Sequence, residues 1–280
     1  TTGASNIAIG QNALGSNTTA SNNVAVGQDA LVLNTTGTQN TALGTNALDA
    51  NTTADNNTAI GYQALTDNTT GIQNIAVGSL ALQNNITGNY NVAVGYRPLD
   101  ANTTGDANTA MGYAALYTST TGNNNTAFGF SSLLLATTAS NNTAVGYNAL
   151  AATTTGASNT AVGKGALDAN TTASGNTAVG DTALGANTTA GENTAIGFAA
   201  LGNNTTASNN TAVGYYALLS NTTGHSNTAV GANALDAGNG SFNTAVGYNA
   251  LTTNANNANS AFGYNCLRQN TTGTGNAAFG

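Results

Sequence analysis

Residues able to carry chemistry are few, and none of them clusters. The chain has one histidine, His225, and one cysteine, Cys266. Acid–base work by histidine needs an orienting partner, and no Cys, Asp or Glu lies near His225 in sequence. A zinc cage needs four ligands from Cys, His and carboxylates, and a disulfide needs a second Cys. The carboxylates Asp49, Asp67, Asp100, Asp168 and Asp236 arrive one at a time, whereas calcium requires several oxygens together. Cys266 stands where other copies of a repeat carry Ala, which predicts an inert buried thiol. The expectation is therefore no enzyme, no cofactor and no metal site. Solenoid enzymes that cleave polysaccharides would need acidic clusters, which this sequence lacks.

Composition narrows the class further. Charged residues are 5% of the 280, against roughly 25% in an ordinary soluble domain. Three basic residues and a net charge of −7 exclude electrostatic capture of nucleic acid. No apolar run approaches the roughly 18 residues of a membrane-spanning helix, so this segment is not expected to insert into a membrane.

Organisation comes from a repeat. The pentapeptide Asn-Thr-Ala-Val-Gly, with small variations, occurs in seventeen copies from Asn6 to Asn276. Fourteen of the sixteen spacings are 17 residues, and the two between Asn227 and Asn259 are 16. A typical unit runs Asn159–Gly175, NTAVGKGALDANTTASG. With that Asn at offset 0, offset 2 is Ala and offset 4 is Gly in every copy, and offset 8 is Leu in all sixteen full units. Offset 3 is always apolar, offset 1 is Thr or a β-branched apolar residue in most copies, and offsets 11 to 13 are mostly Asn-Thr-Thr.

Seventeen residues are too few for a helical hairpin repeat, and no window sustains a helical apolar period. Alternation within Asn-Thr-Ala-Val-Gly predicts a strand of four or five residues, with a second strand near Thr-Thr. Gly and Asn supply the corners, where positive φ is needed. The fold expected is all-β: a parallel β-solenoid with one coil per repeat, identical positions stacking in columns about 4.8 Å apart. Residues 1–280 form a single repeat array, expected to be a slice of a longer fibre protein. The expected core columns are Leu at offset 8 (Leu14, Leu65, Leu116, Leu167, Leu218) and the apolar residue at offset 3 (Val77, Val145, Val179).

Which strand face points inward stays open. With the Ala face inside, the Thr/Val face becomes a long apolar stripe outside, and such stripes mark interfaces. With the Val face inside, a flat Ala/Gly/Asn face suits close contact with another chain. Both cases favour a multimer, coaxial and three-fold. The 16-residue coils lose Thr at offset 13 (Gly240 and Asn256), which predicts a shift in the Thr column.

Other columns invite functional readings. Offset 5 carries Tyr62, Tyr96, Tyr113, Phe130, Tyr147, Phe198, Tyr215, Tyr248 and Tyr264. These are a candidate surface contact stripe, able to stack on sugars or a neighbouring fibre, or else rings that cover a Gly-rich corner. Thr at offsets 12 and 13 could order water as an ice-binding array does, but adjacent Thr point opposite ways, so only one per strand faces out. Asn at offsets 0 and 11 predicts amide ladders along the axis.

The segment Asn57-Thr58-Ala59-Ile60-Gly61-Tyr62-Gln63-Ala64-Leu65 resembles the NTAIGYQAL-type arrays of phage and phage-like tail-fibre proteins. It is also similar to the head repeats of trimeric autotransporter adhesins, whose motif is Asn-Ser-Val-Ala-Ile-Gly. The resemblance extends over the whole chain. It implies a trimeric, left-handed parallel β-roll serving as an extracellular stalk or adhesive surface. The period here is longer than the units usual in adhesin heads.

The functional expectation is a structural or adhesive extracellular fibre segment, the shaft or stalk of a virion tail fibre or bacterial surface adhesin. Its expected partners are copies of itself, as a homo-trimer or an end-to-end polymer, and a cell-surface glycan or receptor. The alternatives are a subunit of a self-assembling extracellular filament and an ice-binding solenoid.

Overall fold

A computed structural model describes residues 2–280. The chain is all-β, a parallel β-solenoid whose described residues include no helix. It divides into two compact units, Thr1–Asn141 and Asn142–Gly280. Among the described residues, the first unit holds eight strands, from β1 (Ile7–Ile9) to β8 (Thr126–Phe128). The second holds nine, from β9 (Thr143–Val145) to β17 (Ala277–Phe279). Within each unit successive strands pair in parallel and in register, so that Thr58, Ala59 and Ile60 sit beside Ile75, Ala76 and Val77.

Each strand is three residues long, at offsets 1 to 3. Two β-branched residues in three favour the extended backbone, and glycine stops it. Gly61 has φ +141°, a region closed to L-residues. A Cβ there would also strike the carbonyl oxygen of Gly78 in the next coil. Both constraints repeat along the stack, which accounts for a glycine in every copy.

Past the glycine the chain turns repeatedly. Ala64 N–H reaches back to the Gly61 carbonyl at 3.4 Å, with Gln63 at φ 51°, the geometry of a turn with positive φ at its third residue. Leu65 then also adopts positive φ, 54°, as do the other leucines of its column. Left-handed backbone costs a residue with a Cβ about 1–2 kcal/mol. Burying a leucine side chain returns about 1.5–3 kcal/mol, and Leu65 is fully buried. Burial therefore outweighs the strain.

The Thr-Thr segment is a bend, not the expected second strand. Thr69 N–H and Thr70 N–H both reach the Ile86 carbonyl of the next coil, at 3.1 and 3.3 Å, which is convergence on one acceptor and not a ladder. Most peptides outside the strands are still paired along the axis, in alternating directions. Leu65 N–H and Asp67 N–H bond forward to Ala81 and Gln83, while Gly61 N–H and Gln63 N–H bond backward to Leu43 and Thr45.

The interior is narrow. It contains Ala59 (offset 2), Ala64 (offset 7) and Leu65, with the same columns buried in neighbouring coils. Leu14, Leu116, Leu167 and Leu218 are buried. Val77, Val145 and Val179 are not core residues: they are half-exposed on the outer face. Alternate strand residues point to opposite sides, and the Leu and Asn columns leave room inside only for the alanine methyl.

Two amide ladders complete the core. Asn57 N–H donates to Asn40 Oδ1 at 2.9 Å, and Asn57 Nδ2 donates to the Gly71 carbonyl at 2.9 Å. Asn68 Nδ2 donates to that same carbonyl at 2.9 Å and to Asn51 Oδ1 at 3.3 Å. Both asparagines are fully buried, so their polar groups must be satisfied internally.

The 16-residue coils absorb their deletion in the loop. Strand register holds, with Thr228 beside Thr244 and Thr244 beside Ser260. Upstream, Thr222 N–H and Oγ1 both donate to Asn239 Oδ1, at 2.7 and 3.0 Å, in place of a Thr carbonyl.

Candidate binding surface

With alanine inside, offsets 1 and 3 face outward throughout both units. Ile7, Ile9, Leu43, Ile75 and Phe128 are exposed in the first unit, and Ile196, Val230, Phe262 and Phe279 in the second. Thr143, Thr160, Thr177, Thr194, Thr211, Thr228 and Thr244 supply offset 1 of that face in the second unit, one per coil, beside half-exposed Val145, Val162 and Val179 at offset 3. Each unit thus presents a sheet face on which threonine or a β-branched apolar residue alternates with an apolar column.

The aromatic column borders this face. Tyr62, Tyr96, Tyr113, Phe130, Tyr147, Phe198, Tyr215, Tyr248 and Tyr264 are all exposed. Its members stack where coils in succession carry rings. Tyr96 and Tyr113 lie 5.5 Å apart at 19°, and Tyr113 and Phe130 lie 4.8 Å apart at 7°. In the second unit Phe198 stacks on Tyr215 and Tyr248 on Tyr264, both at 5.5 Å. A hydrogen bond with Tyr216 raises the pKa of the Tyr215 hydroxyl above its usual value. These distances fall in the range where offset-stacked rings attract.

One stretch of the first unit departs from the repeat at many positions at once. Between Asn91 and Asn141 lie the chain's single proline (Pro98), its single methionine (Met111) and Arg97, one of its three basic residues. Tyr117 and Leu134 occupy offset 9, and Ser119 and Ala136 replace the offset 11 asparagine. Their crowding into three coils is a signal present in the sequence.

The same three coils hold a cleft of about 280 Å³, lined at the variable offsets 5, 6 and 9 by Arg97, Tyr113, Ala114, Tyr117, Ser131 and Leu134. Arg97, Ala114 and Ser131 occupy offset 6 of three successive coils, so the small Ala114 forms a gap between two longer side chains. Arg97 Cζ sits 4.9 Å from the centre of the Tyr117 ring, a cation–π contact. Its Nη2 donates to Asp100 Oδ2 at 3.1 Å, a bond that reinforces the guanidinium's positive charge. Arg97 Nε and Asp100 Oδ1 are buried with no hydrogen-bond partner. The interrupted ladder leaves Asn102 Oδ1 and Ser119 Oγ likewise unpaired. Native structures rarely tolerate several such groups together.

The remaining candidates stand apart. Asp49, Asp168 and Asp236 are raised above the usual carboxylate range, chiefly by burial; at Asp49 the charges of Asp67 and Asp29 add to it. No group of three metal-ligating side chains occurs among the described residues. Cys266 is buried with a free thiol. His225 meets Phe242 edge-on at 4.8 Å, with Nδ1 at 3.3 Å from Ser226 Oγ. Thr hydroxyls at offset 12 are turned into the stack: Thr35 Oγ1 donates to the Thr52 carbonyl at 3.0 Å and Thr171 Oγ1 to Thr188 at 3.1 Å. No described helix is long and apolar enough to cross a membrane. No family model matches the sequence, and no curated protein matches it.

Proposed function

We propose that the chain is a structural and adhesive segment of an extracellular fibre, a tail-fibre shaft or surface stalk, assembled from three copies of itself. The observation that carries this reading is the outward Thr/Val/Ile face that runs along each unit. A surface of that extent on a soluble protein calls for a cover, and a second and third copy offer an identical stripe in matching register. Supporting it is the way the coils are braced. Axial hydrogen bonds and buried amide ladders make stability a sum of neighbour terms, which suits a load-bearing rod. A charged fraction of 5% and three basic residues offer little to trypsin-like proteases, as suits a protein outside the cell.

Light scattering of the purified chain, with electron microscopy of the same sample, tests this. A discrete mass near three chains with uniform rods is the expected result. A clean monomer overturns the reading. Filaments of unbounded mass would replace it with a self-polymerising matrix protein.

A further inference from the structure

We infer that the cleft between Arg97, Tyr113, Tyr117 and Ser131 is a binding site for a single neutral pyranose unit of a glycan. The inference rests on the adhesive half of the reading above and gives it a location and a ligand class.

Position is the first argument. In a repeat whose columns serve the stack, residues that break the consensus at a cost to stability mark a place selected for something else. Here the cost is visible in the unpaired Asn102 Oδ1, Ser119 Oγ, Arg97 Nε and Asp100 Oδ1. The same three coils hold the cleft.

Size is the second. Pockets for drug-sized ligands run from about 300 to 1,000 Å³, and this one, at about 280 Å³, falls just below. It admits one ring, with the rest of a chain of sugars lying outside.

Chemistry is the third. A pyranose presents a face of C–H groups, slightly positive, which seats on the negative face of the Tyr117 ring that Arg97 leaves open, since Tyr96 and Phe130 stack on Tyr113. Its hydroxyls both donate and accept. Arg97 N–H groups, the Ser131 hydroxyl and the two tyrosine hydroxyls match them. Charge decides between neutral and acidic sugars. Asp100 already neutralises Arg97 at 3.1 Å, and the chain carries −7 overall. A uronate or sialate would therefore meet no uncompensated cation. Side chains above a small floor residue give weak single-site affinity, in the millimolar range, raised by avidity when several copies are joined.

The test is a proton NMR titration of the intact chain with methyl β-D-galactopyranoside, methyl β-D-glucopyranoside and methyl α-D-mannopyranoside, with sodium glucuronate as the acidic probe. Saturation transfer to the sugar and tyrosine shifts are the readouts. At least one neutral glycoside binds, and binding weakens at least ten-fold in Tyr117→Ala and Ala114→Asn. Asn is already the residue at offset 6 in several coils, as at Asn148 and Asn249 with φ 55°, so Ala114→Asn fills the floor with the coil intact. Gln73→Ala, exposed outside the cleft and the aromatic column at an offset where Ala107 already stands, leaves binding unchanged. No neutral glycoside binding, binding indifferent to both cleft variants, or binding of glucuronate alone each overturns the inference. Light scattering of the same samples separates the two claims. Sugar binding by a monomer removes the fibre and keeps the site; a trimer that binds no sugar does the reverse.

Discussion

The backbone N–H of Asn57 donates to the side-chain oxygen of Asn40, one coil away, at 2.9 Å. The same bond links Asn74 to Asn57 and Asn91 to Asn74. An offset 0 side chain thus satisfies a peptide of its neighbour, which no other residue type of this size and shape does while also donating to a carbonyl. The offset 11 ladder differs. The oxygen of Asn68 accepts from the amide of Asn85, and Asn85 has a second acceptor in Gly88.

That difference predicts unequal costs. Asn57→Ala strands a buried backbone N–H at Asn74 and should cost about 1–3 kcal/mol, the penalty of one unsatisfied group. Asn68→Ala leaves the Gly71 carbonyl with Asn57 as its donor, and should cost less. Chemical denaturation, with hydrogen exchange to localise the loss, measures both. Equal costs would show that the backbone bond is not what holds offset 0 to asparagine. The natural exceptions agree in direction: Ser119, Ala136 and Thr153 occur at offset 11, whereas offset 0 is asparagine throughout.

The inward alanine gives a second contrast. Ala59→Val adds volume to a site with no exposure and should cost about 1–3 kcal/mol through overpacking. Val145→Thr on the outer face should stay within about 0.5 kcal/mol, as surface changes do. Thermal unfolding of the two variants, compared at monomer-favouring dilution, reads this directly. A tolerant Ala59 with an intolerant Val145 would mean that the strand faces the other way.

This contrast also shows what the residues disclosed in advance. The 17-residue period, the parallel stacking and the leucine core could be read from spacing alone, because each column repeats its own constraint. The sense of the strand could not. Val and Ala are both apolar, and the decisive fact is three-dimensional: Leu65 and the asparagines already occupy the space a valine would need. Positive φ at leucine was also hidden, since leucine carries no signal for that backbone region and adopts it only because burial repays it. The cleft was hidden because Arg97, Tyr117 and Ser131 lie apart in sequence and meet only when coils stack.

Acidity should stabilise the solenoid modestly. Burial raises the carboxyls of Asp49, Asp168 and Asp236 in the folded state. Between the unfolded value of about 3.9 and the raised folded value, the folded chain holds more protons than the unfolded one. Stability therefore falls as pH rises through that window and is lowest, with respect to these groups, above it. Asp168→Asn should melt higher than the parent at neutral pH, and the gap should close as pH drops below the window. Melting curves from about pH 3 to 7, which take in the usual carboxylate range, check it; a gap that widens toward acid would reverse the assigned direction.

The outer face yields the prediction closest to function. Val145, Val162 and Val179 lie in one outward column of the second unit, half-exposed. Lysine tolerates a solvated strand position, but a charge forced into an apolar interface has no partner and must be desolvated. Replacing Val162 and Val179 by lysine should therefore leave the far-ultraviolet spectrum of the coil unchanged while the proposed trimer dissociates to single chains. The matching double change at the offset 10 loop, Ala169→Lys with Ala186→Lys, should leave the mass unaltered. Light scattering across a dilution series distinguishes the two. If the loop variant dissociates and the strand variant does not, copies meet through the turn side of the coil, and the apolar face must be covered by something other than this chain.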